Sequence, residues 1–221
     1  MLAPRCGMSD VQNEIDSDTG LPYQWEKKRH LTYAFENYHP SMEESKQRLA
    51  IRESFNRWSI VSGFKFRDVT GIKDVIPDIR IGFFSKCHND PDCFDGHLGV
   101  LAHGYYPEDG ELHFDKDEPW GYPDTTKSKN DLLEKKVFDL LEVSTHEIGH
   151  VLGVDHIPNA RAIMFAGYFP TPDINGNYII KKMTDLDKEK IQEIYGPNVG
   201  TGVASRGPPI LPNRQNNTAS S

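Results

Sequence analysis

The chain of 221 residues carries 25 Lys and Arg against 33 Asp and Glu, which gives a formal net charge of −8 at pH 7. This acidic balance argues against nucleic acid as a partner. The chain contains no run of about 18 apolar residues, so we expect no membrane span. The length predicts one domain, or one domain with tails. Residues 1–5 lack an apolar signal stretch, so secretion would require a signal peptide that is not in this chain.

The first half of the chain is predicted to hold several strands and one helix. Residues 1–22 contain glycine and proline without periodicity and are expected to be extended or loop. The pair Ser41 and Glu44 has capping-box spacing and predicts a helix that ends near Gly63. Strand-like apolar or alternating segments occur at 31–35, 64–66, 79–83, 98–102 and 112–114.

The second half is predicted to hold two helices and a tail. Residues 119–129 are expected to be a polar loop, followed by a helix from near Asn130 or Asp131. A final helix over 186–195 follows the capping residue Thr184. The long helix would bury one stripe opposite His146 and His150, made of Val137, Leu141, Ile148 and Leu152.

One motif in that helix carries chemistry. His146 and His150 are four residues apart, so on a helix their rings share a face and can reach one ion. Gly153 can take a positive φ, end the helix and return His156 as a third ligand. Three imidazoles with a fourth position open to water are typical of catalytic zinc, and Glu147 is placed to be the general base.

The whole spacing is HExxHxxGxxH, the metzincin pattern, which is followed in that clan by a methionine turn. Met164, eight residues after the last histidine, is the candidate for that turn. The alternative interpretation is three hydrogen-bonded histidines on a helix that happens to end in glycine. We favour the zinc site because five positions agree and each has a separate mechanical role.

Three cysteines bear on the compartment. Cys87 and Cys93 are six residues apart, a spacing that allows a small disulfide loop. Cys6 is then the odd cysteine, and a metal is one partner that its thiol could have in an oxidising compartment.

Further stretches, in order along the chain, resemble the matrix metalloproteinases (matrixins). They are residues 4–10 (PRCGMSD), 25–37 (WEKKRHLTYAFEN), 113–120 (HFDKDEPW) and 194–196 (IYG), with the histidine motif between the last two. The resemblance covers about residues 4–196. It implies an α+β metzincin-type zinc protease fold, with a twisted, mixed, mostly parallel sheet of five strands and three helices.

The resemblance also implies a division of the chain. Residues 1–22 would be a propeptide remnant with a cysteine switch, 23–196 the zinc metalloproteinase catalytic domain, and 197–221 a flexible linker or tail. Cys6 would bind the catalytic zinc in the latent form, braced by a pair between Arg5 and Asp10. Maturation cleavage is expected near residues 21–24. The sequence Asn-Asn-Thr at 216–218 has the pattern of a glycosylation acceptor.

Two further metal sites follow from the resemblance. A closed structural zinc site would be made by His88, Asp90, His103 and His113. A calcium site beside it would use the carboxylates and carbonyls of Asp95, Gly96, Leu98, Val100, Asp115 and Glu118. A second calcium site would start at Asp78, although its glycine-rich partner loop ending in Asp reads PEDGE at 107–111 here. The expected cofactors are therefore two zinc ions per chain and one or more calcium ions.

Substrate is expected to lie extended along an edge strand at Leu101 and Ala102, bound by β-augmentation. The side chain after the cleaved bond (P1′) would enter a pocket walled by Tyr168, where the family's Pro-x-Tyr reads Ala-Gly-Tyr at 166–168. Glu142, one turn before His146, is expected at the pocket floor, where it would disfavour acidic P1′ residues.

The function that we expect is a secreted zinc endopeptidase acting on extracellular-matrix and other extracellular proteins. The resemblance further implies proteinaceous metalloproteinase inhibitors as partners. Two alternatives remain open: a different metzincin with other substrates, and a catalytically silent module that recognises extended peptides.

Overall fold

The computed structural model describes residues 4–8, 20, 22–26, 28–88 and 90–198. Its main sheet has six strands, which are β1 (Arg5–Cys6), β2 (His30–Phe35), β3 (Lys65–Asp68), β4 (Ile79–Phe84), β5 (Val100–Gly104) and β6 (Glu111–Asp115). Within the described residues four helices accompany it, α1 (Glu44–Ser62), α2 (Thr126–Leu133), α3 (Leu140–Val151) and α4 (Asp185–Tyr195). A small second sheet pairs β7 (Trp120–Gly121) with β8 (Phe138–Asp139).

The main sheet has the strand order β1-β5-β6-β4-β2-β3, and every pair is parallel except β5 with β6. The mixed, mostly parallel α+β architecture confirms the predicted fold class. The additional strand comes from residues 5 and 6, which pair with the outer edge of β5. Without them β5 would be an edge strand, as expected for a substrate-binding strand.

The core lies between the sheet and the helices α1 and α3. Trp58 of α1 is fully buried, and its indole N–H donates to the carbonyl of Thr145 at 2.7 Å. The hydroxyls of Ser54 and Ser144 also meet across this interface at 2.7 Å. Because the buried polar groups are paired with one another, α3 is fixed against α1 in one register.

The predicted start of the motif helix is wrong. A separate helix, α2, begins after Thr125, whose side chain and that of Ser128 form a capping box, so the expected 119–129 loop holds β7 and part of this helix. The backbone then reverses at Lys135, which has a φ of 54°. The motif helix starts only at Leu140, capped by the carboxylate of Asp139, which accepts from Leu141 N–H at 2.9 Å.

The capping box predicted at Ser41 and Glu44 is also wrong. Helix α1 has Glu43 at its N-cap without a side-chain hydrogen bond. Gln47 orders the preceding loop instead, since its amide donates to the carbonyls of His39 and Met42 at 2.9 and 2.6 Å. The capping of α4 by Thr184 is confirmed, and there Asp187 completes a capping box.

The motif helix was predicted to bury one face in the core and to present the other to the metal cleft. In the structure all twelve residues of α3 are buried. Val137 lies before the helix, because the helix begins three residues later. Among the helices that the structure describes, none is both long enough and apolar enough to cross a lipid bilayer.

Candidate active site and metal centres

Three imidazoles meet at the C-terminal half of α3. The Nε2 atom of His150 lies 3.1 Å from that of His146 and 3.1 Å from that of His156. His146 and His150 are one turn apart on the helix, as the four-residue spacing requires. His156 approaches from the segment after the helix, so the three predicted residues are brought together.

The glycine between them makes this return possible. Gly153 has a φ of +87°, a conformation that favours glycine over other residues. A Cβ on it would also collide with the carbonyl oxygen of Tyr23. The turn is closed by hydrogen bonds from Gly153 N to His150 O at 2.7 Å and from Val154 N to Gly149 O at 2.9 Å.

Backbone carbonyls set the tautomers of the two helical histidines. His146 Nδ1 lies 2.8 Å from the carbonyl oxygen of Ile163, and His150 Nδ1 lies 2.8 Å from that of Val154. A carbonyl only accepts, so each Nδ1 carries the hydrogen and each Nε2 directs a lone pair at the centre. Burial lowers the pKa of His146 to about 3 and that of His150 well below its usual value. Neutral imidazoles with facing lone pairs fit a metal cation between them.

Residues 4–8 lie across this centre. Cys6 is buried, and its Sγ with the three imidazoles forms a group of potential ligand atoms all within 4.8 Å of one another. The backbone fixes the segment on both sides, because Cys6 N donates to Ala166 O at 2.9 Å and Gly7 N donates to Ala102 O at 2.8 Å. The expected partner of Arg5, Asp10, lies outside the described residues.

Glu147 lies beside the imidazoles and is fully buried. The Cys6 thiol donates to its Oε2 across 3.4 Å, while Oε1 makes no hydrogen bond among the described residues. Burial raises the pKa of Glu147 to about 8. A buried carboxylate with an oxygen to spare can exchange protons with a molecule that enters the site.

Met164 packs against α3 at Gly149, the residue before His150. Its sulfur occupies the space that a Cβ on Gly149 would need. The carboxylate of Asp187 accepts from the backbone N–H groups of Ile163 and Met164 at 3.1 and 3.0 Å. The final helix therefore holds the segment whose carbonyl orients His146.

A second cluster contains the four predicted residues of the structural site. Asp90 Oδ2 lies 3.0 Å from His88 Nε2, 2.9 Å from His103 Nε2 and 2.8 Å from His113 Nδ1. Strand pairing places His103 directly opposite His113. One carboxylate and three imidazoles, largely buried, match a closed tetrahedral zinc donor set.

The disulfide between Cys87 and Cys93 is present and encloses the segment that carries His88 and Asp90. The bridge closes a loop around these two residues, so it limits the conformations of the chain that supplies half of the cluster. The sequence allowed this bridge without requiring it.

The predicted calcium residues lie in one region but do not form so tight a group. In the described part of the chain, the groups of three or more His, Cys, Asp or Glu side chains whose ligand atoms all lie within 4.8 Å of one another are the two above. Glu118 accepts from Leu98 N–H at 2.5 Å, and Asp95 accepts from Val100 N–H at 2.7 Å. Asp115 is fully buried, its Oδ2 makes no hydrogen bond among the described residues, and burial raises its pKa to about 6. A cation bound nearby would stabilise the ionised form of Asp115, which burial disfavours.

Asp78, the start of the predicted second calcium site, is engaged elsewhere. It forms an ion pair with Lys28 at 2.7 Å and accepts from the backbone N–H and the hydroxyl of Thr32 at 2.8 and 2.9 Å. Its backbone carbonyl, in contrast, lies against the predicted partner loop, since a Cβ on Gly110 would collide with Asp78 O.

A cavity of about 20 Å³ opens beside the imidazoles, between β5, α3 and residues 163–168. Glu142 and Tyr168, the residues predicted for the P1′ pocket, line it together with Leu101 of the predicted substrate strand. Ala102, the other residue predicted for that strand, pairs with Cys6. The Tyr168 hydroxyl accepts from the backbone N–H of Asp139 at 3.1 Å. Glu142 is buried, and its carboxylate lies 3.4 Å from Lys181 Nζ. Burial raises the pKa of Glu142 to about 7.

Several supporting residues were not identified from the sequence. Asp139 caps α3 and accepts from the Tyr178 hydroxyl at 2.6 Å, Asp187 holds the methionine turn, and Lys181 neutralises Glu142. Only Asp187 had a signal that could have found it, since it stands three residues after the capping Thr184.

Comparison with known proteins agrees with this geometry. Residues 24–196 match the family model for Peptidase M10, matrixin. Matrix metalloproteinase-C of Caenorhabditis elegans is 39% identical over 94% of this chain and 34% of that protein. Interstitial collagenase of Equus caballus is 36% identical over 90% of this chain and 38% of that protein. Macrophage metalloelastase of Oryctolagus cuniculus is 40% identical over 89% of this chain and 38% of that protein.

The chain thus spans little more than a third of the length of these curated relatives. The matched region nevertheless includes most of the sheet, the three imidazoles and the final helix, which are the parts that build the site. The chain belongs to the matrixin family, a family of zinc metalloendopeptidases.

Proposed function

We propose that residues 23–196 form a secreted zinc endopeptidase that hydrolyses peptide bonds in extracellular-matrix and other extracellular proteins. The observation that carries the proposal is the meeting of three imidazole Nε2 atoms beside a buried carboxylate, Glu147. The names of the relatives, a collagenase and a metalloelastase among them, support the class of substrate.

His146, His150 and His156 would hold the catalytic zinc, which when bound would polarise the scissile carbonyl and activate water as a nucleophile. The carbonyls of Ile163 and Val154 keep two of these rings in the tautomer that binds a metal. Asp187 supports the ring of His146 through Ile163, because it accepts from Ile163 N–H and the carbonyl of Ile163 holds His146 Nδ1. The chain's role here is to fix three donors before the substrate arrives.

Glu147 would take a proton from the attacking water and deliver it to the leaving amine. Its burial supports this role because a raised pKa makes the carboxylate a better proton acceptor near neutral pH. The hydrogen bond from the Cys6 thiol to Glu147 supports a latent state, because Glu147 cannot take a proton from water while residues 4–8 cover it.

Substrate would take the place of residues 5–7 along β5. This is supported by the backbone bonds of that segment, in which Arg5 N donates to Gly99 O at 3.1 Å and Gly7 N donates to Ala102 O at 2.8 Å. Leu101 and Tyr168 would line the pocket for the P1′ side chain, with Glu142 at its floor.

Two further metal sites belong to the proposal. His88, Asp90, His103 and His113 would bind a structural zinc, supported by the three short contacts of Asp90 Oδ2. Calcium would bind near the Oδ2 of Asp115, with Asp95 and Glu118 as further carboxylates and the carbonyls of Gly96, Leu98 and Val100 as neutral ligands.

We further propose the domain division expected from the sequence. Residues 1–22 are a propeptide remnant in which Cys6 binds the catalytic zinc of the latent form, and 197–221 are a linker or tail. Proteinaceous metalloproteinase inhibitors would compete with substrate for the cleft.

The experiment combines zinc content with proteolysis. Native mass spectrometry would count zinc ions in the wild type and in Glu147→Gln, and both would be tested on a quenched gelatin-type peptide before and after a thiol-reactive mercurial. We expect two zinc ions in both proteins and activity only in the mercurial-treated wild type. Two zinc ions without activity under either condition would overturn the proposal in favour of a silent peptide-binding module.

A further inference from the structure

A buried ion pair separates two cavities in this domain. Glu142, on the first turn of α3, lines the 20 Å³ cavity beside the imidazoles. It also lines a second cavity of about 410 Å³, formed with residues 160, 161, 169, 171 and 179–182. Among the described residues Glu142 alone lines both, so its side chain and its partner Lys181 form the partition between them.

The two sides of this partition differ in chemistry. The inner cavity is lined by apolar side chains such as Leu101, Val143 and Ile163, together with the polar residues Arg5, His146, Glu147 and Tyr168. The outer cavity carries the cations Arg161, Lys181 and Lys182, with the half-exposed Phe169 and Ile179 at its rim.

The two members of the pair also differ in their access to water. The side chain of Glu142 is 7% exposed, whereas that of Lys181 is 18% exposed and borders the larger cavity. Lys181 can therefore turn outward and regain water, whereas Glu142 is the more buried member of the pair. A buried carboxylate that loses the cation paired with it is strongly disfavoured.

We propose that the Glu142–Lys181 pair selects substrates with lysine or arginine at P1′, because the substrate cation replaces Lys181 on Glu142. This inference rests on the proposed endopeptidase function. An aliphatic side chain of the same length would separate the pair and leave Glu142 without that partner. An acidic side chain would place a second carboxylate against the first. The outer cavity has room for the displaced Lys181 side chain.

The test uses peptides that differ only at P1′, which is alanine, norleucine, lysine or glutamate. They are cleaved by the mercurial-activated full chain at pH 8, where Glu142, with a pKa of about 7, is ionised. The proteins are the wild type, Glu142→Gln, Lys181→Met and, as a matched control, Lys182→Met. Lys182 lines the same outer cavity, and the ion pair of Glu142 is with Lys181.

For the wild type we expect kcat/KM at least tenfold higher with lysine than with norleucine at P1′, and lowest of all with glutamate. Lys181→Met should raise the lysine-to-norleucine ratio about tenfold further, because Glu142 then has no internal lysine to displace. Glu142→Gln should bring the ratio to one or below, and Lys182→Met should leave it unchanged. The alanine peptide should be cleaved by all four proteins.

Two results would overturn the inference alone: a wild type that cleaves the alanine peptide but prefers norleucine to lysine, or equal ratios in Lys181→Met and Lys182→Met. Failure of the activated wild type to cleave any of the four peptides would overturn the proposed function and this inference with it.

Discussion

Asp187, the third residue of the last helix, accepts a hydrogen bond from the backbone N–H of Met164 at 3.0 Å, 23 residues before it in the chain. The same buried carboxylate accepts from Ile163 N–H and from Thr184 N–H at 3.1 and 2.7 Å. One side chain thus caps α4 and fixes the turn beneath the histidines.

We expect Asp187→Ala to leave these buried donors without acceptors, at about 1–3 kcal/mol for each unsatisfied group. The free energy of unfolding should fall by at least about 3 kcal/mol, measured by chemical denaturation of the zinc-loaded protein. Asp185→Asn is the matched control, since Asp185 is an exposed residue of the same helix turn. A loss no larger than that of the control would contradict this role.

Gly153→Ala tests the turn that returns His156. Alanine would face both a φ of +87° and a collision with the Tyr23 carbonyl. Gly176→Ala is the control, because Gly176 has a φ of +82° but no atom within 4 Å of the place where a Cβ would lie. We expect about 1 kcal/mol of lost stability in the control and at least about twice that in Gly153→Ala, with weaker zinc retention. Equal losses of stability in the two variants would contradict this expectation, because they would show that the collision with the Tyr23 carbonyl adds no cost.

Asp90→Asn should abolish the second metal site. The substitution removes the negative charge that lies within 3.0 Å of three imidazole nitrogens. We expect native mass spectrometry to find one zinc ion per chain instead of two, with a lower thermal midpoint. Asp92→Asn, which changes an exposed carboxylate in the same loop, should keep both ions. Two retained ions in Asp90→Asn would refute the assignment.

Asp139 should make stability depend on pH. Burial raises its pKa to about 6 from 3.8, so the folded state binds this proton more tightly than the unfolded state does. The contribution of Asp139 to the free energy of unfolding is therefore complete below pH 3.8 and is lost as the pH rises through about 6. The full contribution is about 3 kcal/mol.

Asp139→Asn removes this titration while keeping an oxygen to cap α3. The difference in unfolding free energy between wild type and variant, followed from pH 4.5 to about 7.5, should shift in favour of the variant as the pH rises. Histidine titration is common to both proteins and cancels in the difference. A difference that is flat with pH would contradict the assigned pKa.

Much of the primary site could be predicted because its residues are close in sequence. His146, His150, Gly153 and His156 lie within one helix and its terminal turn, where local geometry decides which side chains meet. The second cluster joins residues up to 25 positions apart and was expected only from family resemblance. Its assembly depends on strand pairing that spacing alone does not determine.

The supporting residues could not be predicted for a similar reason. Lys181 and Glu142 are 39 residues apart, and Asp139 and Tyr178 are likewise 39 apart, so both pairs depend on how a late loop packs on α3. The start of α3 was missed because residues 130–137 are mostly good helix formers, and the reversal at Lys135 ends the preceding helix.

The two-residue strand on the outside of β5 has a consequence for handling the protein. While residues 5 and 6 pair there, the row of N–H and C=O groups on that strand is capped. In the activation that we propose, residues 5 and 6 leave, and the sheet would then end in an open edge that any extended chain could pair with, including a second copy of the same domain. The activated domain would gain access to substrate and lose colloidal stability, so we expect it to keep best when dilute or with a peptide bound in the cleft.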